Sequence, residues 1–160
     1  MNKTLNPPVP LARREAVGVL NHTVAELFDL FVHIKRVCWN VRGVSFIGLH
    51  RFLDEFARRT LDDLDAAAEL ALALGGTVEG ARRESAMLLP PKKKVPSSIA
   101  GISSWLQELA TVNATYSKHV HAAVRRMKDA GELGAAELLM AIARDLDQQF
   151  WKLEAHIDQQ

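Results

Sequence analysis

His50 and Asp54 stand four residues apart in "LHRFLDEF", and Asp65 and Glu69 repeat that spacing in "TLDDLDAAAEL". Residues four apart on an α-helix are neighbours on one face. An imidazole and three carboxylates arranged this way can bind a metal; the same pairs also occur as plain charges on a solvated helix face. Asp54 and Asp65 are eleven residues apart, close to three full turns, so the two pairs share a face. Along the axis they are nevertheless about 16 Å apart. Metal–oxygen bonds are only about 2 Å long, so one ion cannot use both pairs of a single chain. A two-fold axis crossing this helix removes the difficulty. It runs two copies antiparallel and sets His50 and Asp54 of one against Asp65 and Glu69 of the other. If these residues hold a metal, the spacing predicts a site shared between subunits.

A single cysteine, Cys38, lies upstream in "RVCWNVRG" beside Trp39. As a thiolate it is a soft ligand for zinc or iron. In a site that consumes peroxide it could instead be oxidised to a sulfenic acid. As a thiol it could simply be a small buried residue.

The segments that carry these residues are helical by pattern. Leu20, Val24, Leu27, Phe28, Phe31 and Ile34 recur at three- and four-residue steps from about Leu11 onward, and Gly43 ends the run. A second helix is expected from about Ser45 to Leu74, with Leu49, Phe52, Leu53, Phe56, Leu61, Leu64 and Ala68 as its apolar stripe and Gly75–Gly76 as its stop. "LLPPKKKVPSS" cannot be helical, although "EGARRESAM" before it suits a short extra helix. A third helix follows the cap candidates Ser97 and Ser98 and runs to about Lys128, and a fourth spans about Leu133 to Ile157. No strand-like alternation is present. The pattern predicts an all-α four-helix bundle with a long crossover, carrying the short extra helix, between helices two and three. Residues 1–12, with Pro7, Pro8 and Pro10, read as a flexible arm, and 13–158 as one domain.

With 48% apolar and 24% charged residues the composition is that of a globular protein. A net charge of +1 gives no general attraction to nucleic acid, so any such contact must come from local patches. No uninterrupted apolar run approaches the ~18 residues of a membrane span. The N-terminal residues show no apolar core of a signal peptide. One cysteine builds no disulfide framework, which fits a reducing, cytoplasmic setting.

"CWNVRGVSFIGLHRFLDEF", "DDLDAAAELALALGG" and "ARDLDQQFWKLEAHI" together resemble the Dps family, the starvation-induced DNA-binding proteins of the ferritin superfamily, from about residue 15 to 158. The resemblance implies a ferritin-like bundle assembled as a hollow homo-dodecamer. It implies oxidation of Fe(II), preferably by hydrogen peroxide, storage of ferric mineral, and ferroxidase sites at two-fold interfaces. By position, His50 and Asp54 match the ligands from one subunit, and Glu69, assisted by Asp65, those from its mate. Trp39 matches the tryptophan beside the site. Cys38 departs from the pattern, since the family has its first histidine ligand there; this puts the iron chemistry in question and makes zinc the alternative metal. An intrasubunit di-iron centre would need Glu-x-x-His, and no histidine here has a glutamate three residues earlier.

Asp129, Glu132 and Glu137 flank the turn before the last helix, where the family lines its iron-entry pore with carboxylates. Acids at a helix N-terminus are also favourable without any pore. For non-specific DNA contact the candidates are Lys3 in the arm and Lys92, Lys93 and Lys94 in "PPKKKVP", with phosphates as their partners. The alternative role of those lysines is to solubilise the loop. A shell weakened in iron oxidation and acting on DNA or another metal is the second functional reading. His22, His33, His119, His121 and His156 fit no ligand pattern, and Trp105 and Trp151 are expected to pack.

Overall fold

The computed structural model describes residues 10–43, 46–78 and 99–157. Four helices account for nearly all of them: α1 Leu11–Asn40, α2 Phe46–Ala73, α3 Ile99–Asp129 and α4 Leu133–Ile157. These bounds match the expected ones to within a residue or two, and helix α1 already begins inside the expected arm.

Sequence-distant side-chain pairs fix the directions of the helices. Between α1 and α2, Lys35 pairs with Asp54 and Cys38 approaches the His50 carbonyl oxygen. Between α1 and α3, Glu15 bonds Arg126, Glu26 bonds His119 and Asp29 bonds Tyr116. Between α2 and α4, Phe52 stacks on His156 and Arg59 pairs with Asp145. In each set one numbering rises as the other falls, so each pair is antiparallel. It follows that α2 and α3 point the same way, so the end of α2 and the start of α3 lie at opposite ends of the bundle. The crossover between them, with the short extra helix expected in it, lies outside the described residues.

The ends of α2 and α3 use the same device. Gly76 N–H reaches Ala71 O at 3.0 Å while Gly75 N–H reaches Leu72 O at 2.9 Å. Gly75 supplies the left-handed turn at φ 84° that this pair of bonds requires. Gly76 permits a close approach, because a Cβ there would lie 2.3 Å from Val17 Cγ1. Gly131 closes α3 in the same way, with Glu132 N–H on Met127 O at 2.9 Å.

Leu20, Leu27, Leu30 and Ile34 of α1 meet Leu53 and Phe56 of α2, Leu106, Leu109 and Met127 of α3, and Leu139, Ile142 and Leu146 of α4 in one core. Each such side chain contributes about 1.5–3 kcal/mol on leaving water. Two stripe members behave otherwise: Phe28 and Leu61 are exposed. Helical spacing gives them an apolar face, but no described helix covers them fully. Trp105 packs as expected, whereas Trp151 stands in solvent. By length and composition α1 would suit a membrane crossing. Its buried face nevertheless carries Glu26, Asp29 and His33, with partners on α3 for the first two, so it serves as a core helix of this bundle.

Candidate metal centre

Cys38 and Lys35 sit three residues apart in the last turns of α1 and so share a face. Gly43, at φ 97°, turns the chain, and Phe46 N–H closes the turn on Gly43 O at 3.1 Å. The first turns of α2 therefore lie back against the last turns of α1. His50 and Asp54 arrive opposite Cys38, and one donor atom from each of the three lies within 4.8 Å of the others. His50 Nδ1 is 3.2 Å from Asp54 Oδ2. The Cys38 thiol donates to Asp54 Oδ1 at 3.4 Å and lies 3.8 Å from the His50 carbonyl oxygen.

Lys35 was not anticipated. Its Nζ donates to Asp54 Oδ1 at 2.7 Å, on the oxygen that faces the cysteine. The lysine's hydrogen bond holds the Asp54 carboxyl below its ordinary pKa, with the Cys38 thiol and His50 adding smaller effects in the same direction. Burial pushes the Cys38 thiol up to about 11, and the Asp54 carboxylate adds to the shift. Cys38 is thus buried and protonated at neutral pH, yet aimed at the carboxylate. As a ligand it would have to release its proton. The only hint of Lys35 in the sequence is its three-residue lead on Cys38; its partner lies nineteen positions away.

Trp39 is 71% exposed, next to the cluster, with Lys35 Nζ 5.8 Å from its ring centre. Asp65 and Glu69 are exposed further along α2, so one chain does not complete a site from both pairs. Asp129 and Glu137 are exposed and Glu132 is half-buried, all at the α3–α4 turn. Lys3, Lys92, Lys93 and Lys94 lie outside the described residues.

The remaining histidines are less idle than expected. His33 Nε2 is 3.6 Å from Asp29, His121 meets Asp147 at 2.9 Å, and His156 stacks on Phe52. His22 and His119 converge on Glu26, forming a second group of potential metal ligands. No local spacing could reveal this, because His119 and Glu26 are separated by 93 positions.

The bundle topology and the family match define the class: residues 17–160 match the family described as the ferritin-like domain. Within that class, a "DNA protection during starvation protein" of Agrobacterium fabrum is 30% identical over 158 residues, covering 99% of this chain and 97% of the relative. The structure named DpsC from Streptomyces coelicolor superposes with a TM-score of 0.83 at 26% identity, covering 97% of this chain and 91% of that one. Dps from Microbacterium arborescens, described as in the high iron form, gives 0.78 at 27% identity over 98% and 99% of the two chains. The chain belongs to the Dps family of ferritin-like proteins. Membership implies iron binding.

Proposed function

We propose that this protein is an iron-sequestering and DNA-protecting shell that oxidises Fe(II) with hydrogen peroxide and stores the ferric product. The observation that carries the reading is the convergence of Cys38, His50 and Asp54 on one point between α1 and α2. Relatives named for DNA protection and a neighbour described in a high iron form support the setting.

In this reading twelve copies form a hollow shell, and each site lies on a two-fold axis. His50 and Asp54 of one chain bind the Fe(II) substrate together with Glu69 of a second copy, and Asp65 of that copy assists. Each Fe(II) gives up one electron, and each peroxide accepts two and leaves as water after taking up protons. The same reaction removes both reagents that would generate hydroxyl radical. Trp39 takes the role of intercepting stray oxidising equivalents, and its exposure beside the cluster supports this. Asp129, Glu132 and Glu137 act as the entry path for iron. Lys3 and Lys92 to Lys94 contact DNA phosphates without reading sequence. The cytoplasm, at the nucleoid, is the compartment in which these roles meet.

A second reading is favoured by Lys35 and by the protonated thiol. A cation entering the cluster must compete with the Lys35 ammonium for Asp54 Oδ1 and displace a proton from Cys38. A shell with these handicaps would oxidise iron slowly and act on DNA, or take zinc through the thiolate. The test is the rate of Fe(II) oxidation at sub-stoichiometric peroxide, compared with His50→Ala and Cys38→His. Fast oxidation lost in His50→Ala supports the first reading. A rate equal to that of buffer, rescued by Cys38→His, overturns it in favour of the second.

A further inference from the structure

On the side of α1 that faces α3, Glu26 lies buried between two imidazoles. Its side chain is 7% exposed, against 67% for His22 and 52% for His119. His22 Nε2 is 3.3 Å from Glu26 Oε1, and His119 Nδ1 is 2.5 Å from the same oxygen. One donor atom from each residue lies within 4.8 Å of the other two. The cluster opens into a groove of about 410 Å³ between the two helices, bordered by Gly18, Ala122 and Arg126. A Cβ built on Gly18 would meet nothing within 4 Å, so the approach from that side is open. Arg126 does not fill the groove with an unpaired charge, since its Nε bonds Glu15.

We propose that His22, Glu26 and His119 form a second divalent-metal site, with two nitrogens and one carboxylate oxygen as ligands and Zn²⁺ as the ion best suited to them. Zn²⁺ binds imidazole nitrogen at about 2.0–2.1 Å in tetrahedral geometry, which sets neighbouring ligand atoms about 3.3 Å apart. His22 and Glu26 already stand at that separation. His119 must draw back by less than an ångström, and its half-exposed ring has room to do so. The fourth position faces the groove and is left to water, as in open zinc sites.

The surroundings hold the ligands in place. One turn along, the buried Tyr116 hydroxyl donates to Asp29 Oδ2 at 2.6 Å, and the Tyr116 and His119 rings lie 6.4 Å apart. That hydrogen bond locks the register of α3 against α1 and keeps His119 opposite Glu26. His22 is sixteen residues from Cys38 on the same helix, about 24 Å along its axis, so no ion can be shared with the first cluster. The proposal therefore stands or falls independently of iron oxidation.

The test uses full-length protein freed of metal by chelation and carrying Cys38→Ser and His50→Ala, which silence the first cluster. Zn²⁺ is titrated against a chromophoric competitor, and Co²⁺ serves as the spectroscopic probe. The expected result is one Zn²⁺ per chain and tetrahedral Co²⁺ absorption without the thiolate charge-transfer band that Cys38 would add. Adding His22→Gln weakens Zn²⁺ at least tenfold, and His119→Ala does the same. His22 lies on the exposed surface, so His22→Gln carries the test if His119→Ala disturbs packing. No Zn²⁺ bound at millimolar metal, or an affinity unmoved by His22→Gln, would overturn the proposal and leave the cluster as a hydrogen-bonded brace.

Discussion

Two histidine–carboxylate clusters share helix α1 and are built in opposite ways. Between α1 and α2 the carboxylate is half-exposed and the cysteine is the buried member, whereas between α1 and α3 the carboxylate is buried and the imidazoles are exposed. Asp54 is already matched by an ammonium group, Lys35, whose pKa is itself raised by the hydrogen bond it donates to that carboxylate. Glu26 is faced by two imidazoles, whose ring nitrogens can serve as metal ligands. A buried anion costs several kcal/mol unless a cation accompanies it. In the first cluster that cation is part of the chain and must be displaced before a metal enters. In the second the partners of the carboxylate are themselves potential ligands, so a metal can join them without displacing an ammonium group.

The largest way to break this comparison is His50→Ala. If the first cluster is the ferroxidase site, peroxide-dependent Fe(II) oxidation should fall by at least about 100-fold, since even outer-shell losses cost 10–100-fold. An unchanged rate in stopped-flow absorbance would move the chemistry elsewhere in the protein.

The pH dependence of Zn²⁺ binding separates the clusters next. A thiol raised to about 11 must lose its proton to become a ligand. Affinity at the Cys38 cluster should therefore rise about tenfold for each pH unit across the neutral range, because metal binding releases that proton. The His22–Glu26–His119 cluster has no thiol proton to release, and in Cys38→Ser protein this steep dependence should vanish. Competition titrations at three pH values decide it; an equal slope with and without the thiol would show that Cys38 is not a ligand.

Tyr116→Phe tests the brace beneath the second cluster. It leaves the buried Asp29 carboxylate without its shortest partner, at a cost of about 1–3 kcal/mol in urea unfolding. A loss confined to a few tenths of a kcal/mol would mean that Asp29 finds another donor. The smallest expected effect is that of Lys35→Met. Removing a partly exposed ion pair, worth about 0.2–1 kcal/mol, should strengthen divalent-cation binding at Asp54 by up to about five-fold. Weaker binding would mean that the lysine orients the carboxylate rather than blocking it.

Much of the fold was legible along the chain. The three- and four-residue recurrence of apolar side chains, with Gly43 and Gly75, marks where α1 and α2 run and stop. These signals act within a few residues, through hydrogen bonds one turn away and through the φ that each residue tolerates. His50 and Asp54 were legible for the same reason, being one turn apart, and Cys38 was noticed because it stands alone. Phe28, Leu61 and Trp151 were misjudged as packed because helical spacing assigns a face but does not say whether another helix covers it.

What only the tertiary structure decided is every meeting between helices. Lys35 reaches Asp54 because the Gly43 turn folds α2 back on α1. His119 reaches Glu26 because α3 runs antiparallel to α1 in a register held by Tyr116 and Asp29. The sequence by itself determined the ligand types, their local spacing and the helices that carry them. Which carboxylate received a lysine and which received two imidazoles depended on register between helices, and register is set by the packing of the whole core rather than by any short stretch of chain.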